Sequence, residues 1–525
     1  MKTTLAAAIA ALLASHAADA RNGPPAWTLS LTHLSSIATA SIGATGAEIV
    51  AYDAPTTRAF AINSTDNDLV VLDLTDPAAP VLFDKISLNA YGAGLNSVDT
   101  HDGLVAVAVE ASPKTSPGRV VFVDAATLAV VGSVEVGALP DMLTFDGDGE
   151  RVLVANEGEP IDYLPGSVNP EGTISIIDLQ QGVANATVRT ADFRSFSRAE
   201  LNARQVRVFA PNATAAQDLE PEYITVKGRT AWVTLQEANA VAIVDVPTAT
   251  VQDIVPLGLK DHSLPGNALD PNDKDGISIA NWPVFGLYQP DAIASFNVGG
   301  QQYLVTANEG DSRSSDDFEG YDEEVSAGDT AYVLDPTVFP DAVALKSSTA
   351  LGRLTVTTAS GDTDDDGDFD RIEVFGGRSF SIWTAAGHLV WDSGDQFERY
   401  LADPANGYAA LFNANNSSNT PDNRSDNKGP EPEGVAVGKV GGRTYAFVGL
   451  ERIGGVMAYD VSNPAAPEFA AYANTRALNG VAGDRGLEGV TFVSEEDSPN
   501  GKPLVILGNE TSRTVSIFQV DKTRR

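Results

Sequence analysis

The chain contains no cysteine. It can form no disulfide and no thiolate metal site, and it is compatible with an oxidising compartment without requiring one. Histidine is scarce too: five in all, of which His33, His101, His262 and His388 lie beyond the N-terminal leader. None of them forms an H-x-H or HExxH pattern, and no G-x-S-x-G elbow or Walker loop occurs. Zinc hydrolysis and acyl transfer by a serine triad are therefore not expected. Positive charge is short as well, with 34 Lys plus Arg against 71 Asp plus Glu and a formal net charge of -37. Such a field repels nucleic acid and anionic membrane surfaces; it suits cations as partners, or serves only to keep a secreted protein soluble. No segment runs to about eighteen uninterrupted apolar residues, so no transmembrane helix is expected.

Residues 1–20 read as an export signal. Lys2 precedes an apolar run from Leu5 to Leu13, and Ala18-Asp19-Ala20 is a small-x-small cleavage site. Cleavage after Ala20 predicts a secreted or periplasmic protein. The remainder, 21–525, reads as one domain because it is built from a repeat.

The repeat is plainest at Pro432-Glu433-Gly434-Val435-Ala436-Val437. An alternating stretch from Arg443 to Glu451 follows, then Gly455-Val456-Met457-Ala458-Tyr459-Asp460-Val461. An acidic residue opens the first strand and another closes the second. Seven units of this kind follow one another, each with three or four short strands of period-two character. Four-stranded units repeated radially predict an all-β, seven-bladed β-propeller. Eight blades is the alternative, with 375–392 as a blade of its own. The last unit has no fourth strand before Arg525. The alternating residues 28–37 have no partners of their own and are expected to supply it, pairing both free edges.

Five long insertions, 158–171, 182–221, 259–290, 310–377 and 394–431, all follow a second or a fourth strand. They should open on one face of the ring, where a rigid scaffold carries its site. Residues 413–428, rich in Asn, Ser and Asp, are expected to be a mobile part of it.

On that face the repeat places Glu48, Asp141, Glu222, Asp291, Glu433 and Glu488 at the start of strand one. It places Glu110, Glu157, Glu237, Glu309, Glu451 and Glu510 at the end of strand two. Carboxylates so close repel one another and titrate high unless cations lie among them. Glu157, Glu237, Glu309, Glu433, Glu451 and Glu488 are the candidate ligands for divalent cations at the channel mouth. Arg313 and Arg452 are candidates to meet an anion there, with Arg378 and Lys428 beside the large insertions. The plainer alternative is structural: a residue repeated in every blade can simply tie a turn to its neighbour.

The sharpest local pattern is Asp362-Thr363-Asp364-Asp365-Asp366-Gly367-Asp368-Phe369-Asp370-Arg371-Ile372-Glu373, which matches D-x-D-x-D-G-x5-E. It predicts a Ca²⁺ loop with Asp362, Asp364, Asp366 and Asp368 as oxygen donors and Glu373 closing the shell. Its flanks, 354–356 and 374–375, read as strands, so it is not a helix–loop–helix pair.

Val154-Ala155-Asn156-Glu157-Gly158-Glu159-Pro160, Asp270 to Gly276 with Trp282-Pro283-Val284, Ala307 to Arg313, Phe375 to Gln396, and Lys428 to Gly434 with Gly449 to Gly455 carry a wider resemblance. Together they resemble the choice-of-anchor I propeller family over nearly all of the mature chain. That family includes bacterial proteins described as alkaline phosphatases and an animal mesenchyme-specific cell surface glycoprotein. The resemblance implies an extracytoplasmic propeller and a link to phosphatase activity, and fold alone does not decide function. Members often carry a C-terminal anchor, and none is expected after the strand that ends in Asp521-Lys522-Thr523-Arg524-Arg525. Two function classes stay open. One is a calcium-dependent phosphoric-ester hydrolase with Glu309, Arg313 and Arg452 as catalytic groups. The other is a non-catalytic surface or matrix propeller that binds a ligand on its loop face.

Overall fold

The strands sort by how many of their faces are covered. Second strands such as Arg58–Asn63 and Thr230–Leu235 are buried at every position after the first, because a neighbouring sheet packs on each side. Outermost strands see water: in Val81–Ser87 all but one residue is exposed, and Val81, Leu82 and Phe83 stand at 60%, 44% and 49% exposure. The computed structural model describes residues 27–39, 46–315 and 317–524. The export signal expected at 1–20 lies outside the described residues.

The chain is all-β. Among the described residues there are seven four-stranded antiparallel sheets; five are simple meanders, one is interrupted by strands that pair elsewhere, and the last takes its fourth strand from the start of the chain. The first strands of successive sheets are Val50–Asp53, Gly94–His101, Pro140–Phe145, Pro221–Lys227, Ile293–Val298, Pro432–Val440 and Leu487–Val493. Each lies against the first strand of the next sheet, and the last lies against the first. Ser379–Thr384 and Leu389–Asp392 are the third and fourth strands of the sheet begun by Ile293–Val298.

The strand expected at 28–37 runs from Trp27 to Ala38 and pairs antiparallel with Thr514–Arg524, with Thr32 opposite Gln519 and Ile37 opposite Val515. The insertion expected at 182–221 is shorter than that. Thr187–Asp192 lies inside it and pairs with Thr173–Asp178 as a fourth strand. Its sequence, Thr-Val-Arg-Thr-Ala-Asp, hides this because an outermost strand needs few apolar residues.

The insertions fold into a layer of their own. Leu259–Asp261, Phe285–Leu287 and Glu373–Val374 form a three-stranded sheet, and Glu324–Ser326 pairs with Thr355–Thr357. Val284, Tyr332, Phe339, Leu354, Val356 and Ile372 pack beneath them as a separate core. Residues 413–428 are anchored rather than mobile. Asn413 donates to Glu398 Oε1 and to Ser425 Oγ, and the Arg476 guanidinium donates to the carbonyls of Asn415 and Ser418.

The terminal pairing is open to a covalent test, since the chain has no cysteine of its own. Thr32→Cys with Gln519→Cys is expected to oxidise to a single intramolecular disulfide, seen as a mobility shift on a non-reducing gel. Displacing Gln519→Cys to Asp521→Cys should abolish the shift.

Candidate functional site

The acidic residues are delivered by a repeated local device. Leu139, Gln289 and Glu431, each just before Pro140, Pro290 and Pro432, have φ of 46°, 41° and 48°. Such a conformation is uncommon for residues with a Cβ. The Leu139 carbonyl accepts from Glu157 N at 2.8 Å, that of Gln289 from Gly310 N at 3.1 Å, and that of Glu431 from Glu451 N at 2.9 Å. Each bond fastens the end of strand two to the start of strand one. The ladder then slips at the acid itself, with irregularities at Pro140/Leu143, Pro221/Ile224, Pro432/Val435 and Leu487/Val490. A bulge re-aims a side chain. A buried asparagine completes the frame: Asn156, Asn308 and Asn509 donate across to Ser175, Ser381 and Ser516 on strand three.

The result is a cavity of about 310 Å³ lined by Glu48, Asn96, Asp141, Asp291, Glu433, Glu488 and Glu510, with Tyr223 and Met142. No Lys, Arg or His is among its lining residues. Asn96 was not anticipated; it sits at the bulge of the second sheet, between Leu95 and Ser97, where other sheets carry an acid. Burial pushes Glu48 and Asp141 up to about 7, helped by Glu510 and Asp141 in the first case and by Glu159 and Glu110 in the second. Burial and then Glu510 push Glu488 up to about 8. Glu157, Glu222, Asp291 and Glu433 are driven well up by burial and then by neighbouring carboxylates. Glu237 is also raised by burial, against the pull of Arg313.

On an adjacent stretch of the ring lies a cluster in which cations match the carboxylates. Oxygens of Glu309, Glu431 and Glu451 lie within 4.8 Å of one another. Glu309 accepts from Lys428 Nζ at 2.5 Å and from Gln236 Nε2 at 3.0 Å. Glu431 meets Arg424 at 2.7 Å, Arg452 at 2.9 Å and Lys428 at 3.6 Å. Arg452 Nε also lies 2.9 Å from Glu451. Burial works against the Glu431 charge, but Arg424, Lys428 and Arg452 outweigh it and hold the carboxyl down to about 2. Three carboxylates here face three cations. Glu431 was not anticipated, although its place before Pro432 matches Leu139 and Gln289.

Of the other expected anion-binding groups, Arg313 is 1% exposed. It lies 3.1 Å from Asp218, bonds Glu220, and stands 4.0 Å from Glu237. Phe209 stacks between its guanidinium and that of Arg207, at 4.7 and 4.4 Å. Arg378 pairs with Glu398 at 2.8 Å and donates to the carbonyls of Asp270, Ser425 and Asn427. Neither lines the cavity. Both clamp one insertion to another.

In the 362–373 loop, oxygens of Asp362, Asp364 and Asp370 come within 4.8 Å of one another, and Asp335, Asp368 and Asp370 form a second such group. Gly367 makes the turn at φ 97°, a conformation that favours glycine, and its N–H donates to Asp362 Oδ2 at 3.0 Å. Asp366 and Glu373 do not join either group. Glu373 lies in a strand paired parallel to Phe285–Leu287, which fixes its side chain in the insertion core against Ser360 and Arg371, the latter at 2.9 Å. A helix at this point would have turned position twelve back toward the ion. Asp370 takes part instead.

These features define a class: an all-β propeller with a ring of carboxylates, some buried and some half-buried, at the ends of its inner strands. The choice-of-anchor I domain matches residues 48–464, and the chain belongs to that family. It is 33% identical over 187 residues to Gigasin-3a of Magallana gigas, covering 32% of this chain and 64% of that protein. It is 31% identical over 282 residues to the mesenchyme-specific cell surface glycoprotein of Strongylocentrotus purpuratus, covering 47% of this chain and 36% of the other. The chain thus spans less than two thirds of the length of each. Among solved structures, hydrazine synthase of Kuenenia stuttgartiensis matches with a TM-score of 0.46 at 11% identity, over 91% of this chain and 97% of that one. The Cps50 (Swd1) β-propeller domain of Myceliophteria thermophila matches with a TM-score of 0.43 at 9% identity, over 94% and 100%. Likenesses this distant leave the fold to rest on the sheets themselves. No helix among the described residues is long and apolar enough to cross a membrane.

The ring makes stability depend on pH in a stated direction. Groups whose folded pKa is raised contribute stability that is present below their ordinary value and lost as pH rises through the raised one. For Glu48, Asp141 and Glu488 that loss runs from about 4 to about 8. Thermal melts in chelator should therefore fall steadily from pH 5 to pH 8.5. Separately, Arg313→Ala strands Asp218 and Glu220 as unpaired buried charges, and should lower unfolding free energy by about 3–5 kcal/mol in denaturant titration.

Proposed function

We propose that the chain is an exported, surface-acting, calcium-binding propeller, closed as seven blades by the strand Trp27–Ala38. The observation that carries calcium is the convergence of Asp362, Asp364 and Asp370 around the Gly367 turn, since hard divalent cations take clustered carboxylate oxygens. Export is supported by the leader at 1–20 and by the relative named as a cell surface glycoprotein. The channel mouth collects further divalent cations through Glu157, Glu237, Glu433 and Glu488, the carboxylates that no nearby cation neutralises in full. Arg313 and Arg378, saturated by buried acceptors, serve structure rather than ligand.

Phosphoric-ester hydrolysis is the second reading, supported by Lys428 and Arg452 flanking Glu309 and Glu451. A cation bound there would supply Lewis-acid polarisation. Lys428 and Arg452, displaced from their carboxylates, would face the charge developing on a phosphoryl group.

Metal analysis decides the first reading. Asp362→Ala with Asp364→Ala, or Asp370→Ala alone, should remove one bound Ca²⁺ per chain and abolish the rise in melting temperature that this ion provides. Glu373→Gln should keep it, because Arg371 and Ser360 hold that side chain apart; an unchanged calcium count in the Asp variants would retire the site. For the second reading, p-nitrophenyl phosphate hydrolysis should need added Ca²⁺, stop on chelation and disappear in Glu309→Ala. No turnover by the wild type ends the enzyme reading and leaves the binding one intact.

A further inference from the structure

The far ends of three inner strands carry the opposite chemistry to the acidic ring. Pro221–Lys227, Ile293–Val298 and Pro432–Val440 are the first strands of three successive sheets, and each lies against the next. From Glu433 to Lys439 the last of them climbs about 20 Å, at roughly 3.4 Å per residue. There the three strands border a second cavity, of about 260 Å³. Lys227 and Lys439 line it, with Ser295, Asn297, Thr444 and Phe296, and no Asp or Glu is among its lining residues. In a chain with 71 acidic and 34 basic residues, that wall reverses the prevailing balance.

Its polar groups are uncommitted. Neither lysine ammonium makes an ion pair or hydrogen bond among the described residues. Lys439 stands opposite Thr444 in the ladder with Arg443–Leu450, so the two side chains share one face. Thr444 is 7% exposed. Its backbone N–H donates to Ser462 Oγ at 2.9 Å, while its hydroxyl, in the cavity wall, meets no protein group among the described residues. The Ser295 hydroxyl is likewise unmet. Asn297 Oδ1 accepts from Gly300 N at 3.1 Å, which leaves its amide N–H groups to donate elsewhere. Exposed lysines are satisfied by bulk water. The hydroxyl of so deeply buried a threonine is met by what enters the cavity.

Two ammoniums and a set of free hydroxyl and amide donors suit an anion. Lysine meets oxyanions as a point charge, without the planar fork by which arginine grips a carboxylate. Two such charges match a phosphate monoester, which carries about −1.5 to −2 near pH 7. A volume of about 260 Å³ equals on the order of nine waters at about 30 Å³ each, room for the charged group and a small body beside it. Phe296, 5% exposed, gives that body an apolar wall. The acidic ring does not oppose this, because at physiological salt charges are screened over about 8 Å, less than half the climb of the strand.

We propose that this cavity binds the phosphate monoester of a small polar molecule. Lys227 and Lys439 meet the charged group, Thr444 and Ser295 donate to its oxygens, and Asn297 and Phe296 border the body. The site is one of binding alone. It needs no metal and does not rest on the cation or hydrolase readings of the loop face.

Glucose 6-phosphate is the probe. Calorimetric titration of the full chain, in buffer freed of divalent cations, should show one bound per chain, with affinity falling as salt is raised. Lys227→Gln and Lys439→Gln should each weaken it about tenfold, and Thr444→Val about threefold. Lys85→Gln, at an exposed position on an outermost strand, should leave it unchanged. Both cavity lysines are exposed and unpaired, so their variants should melt with the wild type. Glucose itself should not bind; if it binds as well as its phosphate, the charged group is not what the cavity holds and the proposal fails. No binding up to about 10 mM, or binding indifferent to both lysines, would overturn it too. Binding that appears only with Ca²⁺ and is lost in Glu309→Ala would put the phosphate on the loop face, overturning this site while supporting the hydrolase reading.

Discussion

Carboxylates gathered round one axis repel one another, and everything else in this molecule has to accommodate that. Repulsion between like charges grows as the water between them is removed, and Glu222, Glu237, Glu309 and Glu451 of the ring are buried. A strand scaffold can impose the arrangement because its backbone hydrogen bonds do not depend on the charges. The left-handed residues before Pro140, Pro290 and Pro432, with the bulges after Pro140 and Pro432, place the acids that follow by backbone geometry.

The protein relieves the repulsion in two ways on adjacent stretches of the same ring. Where insertions bring cations within reach, as at Glu309, Glu431 and Glu451, charge is balanced inside the protein by Lys428, Arg424 and Arg452. Where none do, as at Glu222 and Glu433, oxygens stay buried and unpaired. The first arrangement makes a rigid joint between insertions and sheets. The second leaves carboxylate oxygens with no partner inside the protein.

The insertions are not loose covers. Arg313, Arg378 and Arg207 each join segments distant in sequence, and the small sheets at 259–287 and 324–374 give the layer its own core. That makes the loop face a preorganised surface, which lowers the ordering cost of binding. The curated relatives extend well beyond the region shared with this chain.

Much of this was legible in the sequence. The repeat gave away its strands because period-two alternation and short turns are local properties, and the acids at strand ends recur at a constant offset. The unpartnered stretch at 28–37 announced its place because a repeat with a missing strand has an open edge. The calcium-type spacing from Asp362 was equally local. What only the tertiary structure decided is which acid is neutralised, and by what. Lys428 meets Glu309 across 119 positions and Arg313 meets the Asp218 carbonyl across 95, and both cations come from insertions outside the repeat register. Sequence position therefore says nothing about the carboxylate each will reach. Glu373 teaches the same point: its spacing fits a closing ligand, but a parallel strand pairing made by another insertion holds its carboxylate away from the Asp362 turn, because side-chain direction follows the pairing of the backbone.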